Sequence, residues 1–167
     1  FTKDIALNRE KQALLYERVA KSLSELDTDG VEIIPQTLPP FPWLFGGQLF
    51  HNLFVDPEDT VAFCQDHGYR VCLDVSHSKL AVNHRKSSMA EFVELVGPHT
   101  GYLHIVDAMG LDGEGLQIGD GEINFSSLAV QLARLAPKAG FIPEVWQGHK
   151  NEGEGFWVAL ERLEQWF

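Results

Sequence analysis

The sequence predicts a parallel α/β barrel, of which this chain supplies about half: four strand-helix units and a leading helix. Short apolar runs alternate with amphipathic helical patterns, as in parallel sheets that are covered by helices. The runs are nearly continuous in apolar residues, which indicates strands buried on both faces. Four such strands can also form a small open sheet. The leading helix favours the barrel, because it looks like a crossover helix without a strand of its own.

Hydrophobic spacing and local breaking signals define the elements in order. The first helix ends at the turn signal of residues 27–30, and Pro35 stops the first strand. Pro57 suits a first helical turn, and Ser87 or Ser88 suits a helix N-cap. The predicted elements are a helix at 7–26, a strand at 31–34, a helix at 56–67, a strand at 69–75, a helix at 88–96, a strand at 101–106, a helix at 126–136, a strand at 140–145 and a helix at 153–167.

Length, charge and cysteine usage restrict the class of protein. The 167 residues suit one domain, 1–167, with a single core. The formal net charge of −11 argues against nucleic acid or an anionic membrane as a partner, because phosphate binding normally needs a basic surface. Two cysteines are too few for a disulfide scaffold, and Cys72 lies in an apolar run. The sequence shows no signal peptide and no apolar run near 18 residues, so we expect a soluble cytoplasmic protein.

A metal-competent side chain lies in each predicted strand, inside an otherwise apolar run. An unpaired carboxylate in a barrel interior costs several kcal/mol, so such groups are normally paired or bound to metal. The C-terminal ends of parallel barrel strands face one common site. Each residue has an ordinary alternative role: Glu32 as a surface group, Asp74 as a turn cap, His104 as a core histidine and Glu144 as a barrel-rim residue. Together they predict a site for Mn²⁺, Mg²⁺, Co²⁺ or Zn²⁺. The predicted ligands are Glu32, Asp74, His104 and Glu144.

Four short motifs resemble the sugar phosphate isomerase/epimerase family. This family has a xylose isomerase-like (β/α)8 barrel and is related to the family-2 AP endonucleases. The resemblance runs from Val31 onward and covers the C-terminal half of the barrel. The motifs are Asp74-Val-Ser-His77, His104-Ile-Val-Asp107, the stretch from Gly119 to Phe125, and Pro143-Glu144.

The resemblance implies roles for individual residues. The family's Glu, Asp, His and Glu ligands on strands five to eight correspond to Glu32, Asp74, His104 and Glu144, and His77 is implied to contact substrate. A metal that holds adjacent carbonyl and hydroxyl oxygens of a keto sugar can stabilise an enediolate. Glu32 and Glu144, on opposite sides of the substrate, would then move the proton between carbons.

Other residues near the predicted site have weaker signals. Asp107, three residues after His104, is expected to support the ligands through second contacts. His149 and Trp43 lie in loops that can reach a sugar, or in the alternative remain a solvated loop and a hydrophobic plug. The glycine-rich stretch 119–121 resembles a phosphate cradle, but lone glycine loops are weak signals and a simple turn is the favoured interpretation.

The leading functional hypothesis is a metal-dependent isomerase or epimerase of a small sugar or keto-sugar derivative. A dehydratase on the same scaffold, a non-catalytic binding domain that retains the metal site, and an AP-endonuclease-type phosphodiesterase are the alternatives. A full barrel needs about 250 residues. We therefore expect a homo-oligomer, or a partner in a missing N-terminal half-barrel, because a lone half leaves sheet edges uncovered.

Overall fold

The computed structural model describes residues 8–41 and 52–167, and the predicted substrate contact Trp43 lies outside these ranges. Within them the chain alternates helices and strands, as predicted for a parallel α/β protein. The helices are α1 Arg9–Ser24, α2 Pro57–His67, α3 Val75–Arg85, α4 Met89–Val96, α5 Phe125–Leu135 and α6 Lys150–Leu163. The strands are β1 Val71–Asp74, β2 Thr100–Ile105, β3 Asp107–Met109, β4 Gly113–Leu116 and β5 Gly140–Pro143.

Side-chain caps and a left-handed glycine set several helix ends. The predicted cap Ser88 accepts a hydrogen bond from the backbone N–H of Glu91 at the start of α4. Helix α2 begins with Pro57 and ends at Gly68, whose φ of 73° is a left-handed conformation that costs glycine little. These local signals explain why the predicted and observed helix bounds agree closely.

Strands β1, β2 and β5 form a parallel sheet in that order. Asp74 lies directly opposite His104, and His104 lies opposite Ile142 of β5. On the other side of β1, residues 35–37 run beside the strand, with a parallel bridge between Gln36 and Cys72. The C-terminal ends of these neighbouring segments therefore meet at one edge of the sheet.

The structure differs from the prediction in three places. The strand expected at 31–34 is not formed, and sheet pairing begins only at the Gln36 bridge. Helix α3 begins at Val75, the last residue of the strand predicted at 69–75, and continues through residues for which no element is predicted. The glycine-rich loop between β2 and α5 contains an antiparallel hairpin, β3–β4, that was not predicted.

The hydrophobic core lies between the sheet and the helices that follow each strand. Val71, Leu73 and Ile105 are fully buried and pack with residues of α4, α5 and α6. The sheet is not closed: Phe141 and Ile142 of β5 are 37% and 41% exposed. This open parallel sheet with flanking helices confirms the predicted half of a barrel. No helix in the described ranges has the length and apolarity that crossing a bilayer requires.

The buried carboxylate of Asp107 organises the loop that joins the hairpin to α5. Its two oxygens accept hydrogen bonds from the backbone N–H groups of Ala108, Gly119, Gly121 and Ile123, at 2.8 to 3.1 Å. An ionised acceptor makes each of these bonds stronger than a neutral one. The N–H groups of the glycine-rich stretch are therefore already bound, which favours the structural turn over a phosphate cradle.

Gly121 has no room for a side chain, because a Cβ atom there would lie 2.5 Å from an Asp107 carboxylate oxygen and 2.5 Å from the carbonyl oxygen of Ala108. Asp107 and Gly121 thus form one tightly packed turn.

We predict that Asp107→Ala destabilises the fold by about 3 kcal/mol or more, because it removes a buried charged acceptor and leaves its N–H donors unsatisfied. Urea unfolding measures the change. Asp112→Ala, at an exposed position five residues along the chain, is the matched control and should change the free energy of unfolding by less than about 0.5 kcal/mol. Equal unfolding midpoints for the two variants would contradict the anchoring role.

Candidate metal centre

Three of the four predicted ligands come together at the C-terminal edge of the sheet. Asp74, His104 and Glu144 each present one potential ligand atom, and these atoms all lie within 4.8 Å of one another. Asp74 ends β1, His104 lies near the end of β2, and Glu144 directly follows β5. Because neighbouring parallel strands end at the same edge, the register of the sheet produces this cluster.

The ring of His104 faces the two carboxylates. Its Nδ1 atom lies 2.8 Å from a Glu144 oxygen and 3.6 Å from an Asp74 oxygen. Nδ1 is buried, yet the 2.8 Å contact lacks the direction of a hydrogen bond, the 3.6 Å contact is too long for one, and no other group in the described ranges satisfies it. A cation bound between these three groups would satisfy the buried nitrogen. The donor set of two carboxylates and an imidazole fits a hard or borderline divalent cation.

The electrostatics of the cluster favour a positive charge. Interaction with the Asp74 carboxylate, followed by the Cys72 thiol, raises the pKa of His104 to about 10, and the Glu144 carboxylate adds to this effect. A divalent cation can supply the positive charge that the two carboxylates attract.

Asp74 is the most rigidly held member of the cluster. Its side chain is 1% exposed, and one of its oxygens accepts the backbone N–H of His77, so it caps α3. Its backbone N–H donates to the hydroxyl of Thr37, and the hydroxyl of Ser78 donates to its carbonyl oxygen. Asp74 thus caps the helix with one carboxylate oxygen, while the other, Oδ2, faces His104 in the cluster.

Glu32, the fourth predicted ligand, lies apart from these three. Its carboxylate accepts hydrogen bonds from the guanidinium of Arg70, with a distance of 2.7 Å from Arg70 Nε to Glu32 Oε1. This ion pair lowers the pKa of Glu32 from its ordinary value. Both side chains are about half exposed, and Arg70 directly precedes β1, at the N-terminal side of the sheet. Glu32 therefore lies at the N-terminal edge of the sheet, whereas Asp74, His104 and Glu144 cluster at its C-terminal edge.

Gln36 is the residue of this segment that does reach the cluster. Its Nε2 atom donates to Asp74 Oδ2 at 2.9 Å and lies 3.3 Å from His77 Nδ1. Sequence reasoning missed it because an amide after Pro35 is an ordinary loop residue. Gln36 pairs with Cys72 in the parallel direction, and side chains alternate along a strand. Gln36 therefore lies on the same face of the sheet as Cys72 and Asp74.

His77, the predicted substrate contact, lies beside the cluster on the first turn of α3. Its Nδ1 atom is 3.0 Å from the carbonyl oxygen of Thr37. A carbonyl oxygen can only accept, so Nδ1 carries the hydrogen atom. Nε2 faces the other way and lies 3.5 Å from a carboxylate oxygen of Glu114.

Glu114 is a second site residue that sequence reasoning missed. It lies on β4 of the unpredicted hairpin, and a hydrogen bond from the Gly115 N–H to the Ser76 hydroxyl holds this hairpin over α3. Burial raises the pKa of the Glu114 carboxyl, the charge of His77 opposes this, and the negative charges of Asp74 and Glu144 raise it further. Its position between two glycines is typical of an exposed loop, so the sequence does not indicate a partly buried carboxylate there.

The remaining predicted residues lie near the site or support it. His149 is exposed in the loop after β5 and lines a shallow depression together with Glu144 and Trp146. Asp107 makes its hydrogen bonds to the glycine-rich loop and the hairpin. It therefore shapes the wall that carries Glu114.

The fold and the site define a half-barrel with a metal-competent edge. Among protein families, the model of the xylose isomerase-like TIM barrel matches residues 3–166. The chain therefore belongs to the xylose isomerase-like TIM barrel family, which confirms the resemblance. A comparison with curated proteins finds no match.

Solved structures of the same fold include proteins named as sugar epimerases. A D-tagatose 3-epimerase-like protein is 21% identical, with a TM-score of 0.61, and the match covers 93% of this chain and 57% of that one. A xylose isomerase domain protein from Alicyclobacillus acidocaldarius subsp. acidocaldarius is 18% identical, with a TM-score of 0.61 and coverages of 93% and 56%. An L-ribulose 3-epimerase is 16% identical, with a TM-score of 0.58 and coverages of 98% and 54%. The chain thus spans little more than half the length of these structures.

We predict that the protein binds Mn²⁺ and that Asp74→Asn and Glu144→Gln each weaken binding by about 100-fold or more, because each replaces a charged ligand by a neutral amide. Isothermal titration calorimetry measures the affinity. Asp120→Asn, at an exposed carboxylate that pairs with Arg162, is the control and should leave it unchanged. Unaltered affinity in both site variants would refute the assignment.

Proposed function

We propose that this chain carries the metal-binding side of an isomerase or epimerase that acts on a small sugar or keto-sugar derivative. The observation that supports the proposal most directly is the convergence of Asp74, His104 and Glu144 at the sheet edge where barrel enzymes bind substrate. The names of the structural neighbours, two of them sugar 3-epimerases, agree with it.

A divalent ion, when bound, supplies Lewis-acid polarisation of a substrate carbonyl. Asp74, His104 and Glu144 would hold it, and Mn²⁺, Mg²⁺, Co²⁺ and Zn²⁺ all suit this donor set. His77 Nε2, which points away from the Thr37 carbonyl, would form a hydrogen bond with a sugar hydroxyl and orient it.

Proton transfer in this proposal uses Glu144 together with a second carboxylate. Glu32 was expected to fill that role, but Arg70 binds its carboxylate away from the cluster. Glu114 faces the site from the hairpin and is partly desolvated, which makes it the better second acid/base group. His149, which lines the same depression as Glu144, is placed to contact the part of the sugar that projects from the site.

In the presence of Mn²⁺, we expect the protein to epimerise at least one sugar of a keto-sugar panel that includes D-tagatose and L-ribulose. Chromatographic separation of the epimers measures the turnover. Glu144→Gln and Glu114→Gln should each lower kcat by about 10²- to 10⁴-fold, because a general acid/base group contributes this much. Asp112→Asn, on the exposed tip of the hairpin, is the control. Tight metal binding without turnover of any sugar would overturn the proposal in favour of a binding domain.

A complete substrate pocket needs more wall than these elements supply, since Phe141 and Ile142 leave the β5 edge uncovered. We propose that a second copy of this chain or the N-terminal half of the barrel covers it. Light scattering tests the first possibility: we expect a mass above 18.7 kDa for this chain alone, and a clean monomer at low concentration would rule out self-association.

A further inference from the structure

Gln36 occupies the place in the site that lies beside Asp74 on the side away from β2. Its backbone pairs with Cys72 in the parallel direction, so this short segment continues the sheet beyond β1. Its side chain reaches Asp74 Oδ2 at 2.9 Å and His77 Nδ1 at 3.3 Å. The ring of His104 approaches the same Asp74 oxygen from the β2 side, at 3.6 Å.

We propose that Gln36 is the fourth side chain of the metal site, so that the ion is held by two carboxylates, an imidazole and a neutral amide oxygen. This inference rests on the metal site proposed above. It gives this chain a ligand set with one negative charge fewer than the set of three carboxylates and one histidine that the resemblance implies.

The side chain needs only a half-turn of its amide group to act as a ligand. In the structure Nε2 donates to Asp74 Oδ2. The terminal torsion of glutamine is broad and roughly two-fold, so exchanging Oε1 and Nε2 requires little rearrangement. The amide oxygen would then lie at the present position of Nε2, 2.9 Å from Asp74 Oδ2. Two oxygens that bind one ion at about 2.1 Å and at right angles are separated by about 3.0 Å, which matches.

The neutral amide has a chemical consequence for the reaction. An amide cannot take up or release a proton at the pH of the cell, so Gln36 cannot serve as a general base, as a glutamate at its position could. Proton transfer then depends on Glu144 and on Glu114 of the hairpin.

The neutral amide also sets the charge of the loaded site. Two carboxylates balance a divalent ion, whereas three leave the site negative and bind the ion more tightly, because ligand charge tunes affinity. Calorimetric titration with Mn²⁺ tests the role of Gln36. We expect Gln36→Glu to bind at least about 10-fold more tightly and Gln36→Met, which keeps the length but loses the amide, about 10-fold more weakly.

Glu32→Gln is the control that separates the two candidate residues, and it should bind Mn²⁺ as the unaltered protein does, because Arg70 already occupies its carboxylate. Thermal unfolding supplies a second readout that does not depend on turnover. Metal-free Gln36→Glu should melt at a lower temperature, since two close carboxylates repel, and Mn²⁺ should raise its Tm by more than it raises that of the unaltered protein.

Unchanged affinity in Gln36→Met, or a loss of affinity in Glu32→Gln, would overturn the assignment of Gln36 while leaving the metal site in place. Absence of Mn²⁺ binding by the unaltered protein would overturn this inference and the proposed function together.

Discussion

The register between β1 and β2 is the constraint on which the site depends. Asp74 lies directly opposite His104 in this parallel pair. If one strand shifted by one residue relative to the other, Asp74 and His104 would lie on opposite faces of the sheet, because side chains alternate along a strand. The buried residues Val71, Leu73 and Ile105 oppose such a shift, since it would expose them. The core therefore determines where Asp74 and His104 lie, and the candidate metal site follows from the packing of residues that have no chemical role.

The predicted ligands that the structure brings together include two, Asp74 and His104, whose strands are marked by apolar runs. Leu73-Asp74 and His104-Ile105 each end an uninterrupted run, and both strands form close to the predicted bounds. Glu32 differs because Pro35 was interpreted as a stop. A proline lacks only an N–H donor, and its carbonyl oxygen accepts a hydrogen bond from the Cys72 N–H. Pairing therefore continues past the proline. The side chain that reaches the site is that of Gln36, four residues after Glu32.

Helix α3 and the hairpin were hidden from sequence reasoning for two physical reasons. Helix α3 is buried along much of its length, so its apolar residues do not form one clear stripe. In the hairpin, the glycines of Gly113-Glu114-Gly115 indicate a loop, and its position depends on contacts distant in sequence, such as the bond between Gly115 and Ser76. Glu114 enters the site only through this tertiary contact, which no local pattern contains.

Exposure increases steadily across the ligand cluster and gives the site a direction. The side chain of Asp74 is 1% exposed, that of His104 18% and that of Glu144 51%. His104 lies on the central strand β2 and Asp74 on β1, whose outer side is flanked by residues 35–37, whereas Glu144 follows the open-edge strand β5. A cation at this edge would be held rigidly by the buried pair and approached from the side of Glu144. Glu144 is thus the member of the cluster that solvent or a ligand would reach first, whereas Asp74 is held by the bond from the His77 N–H to its carboxylate and by the bonds of its backbone to Thr37 and Ser78.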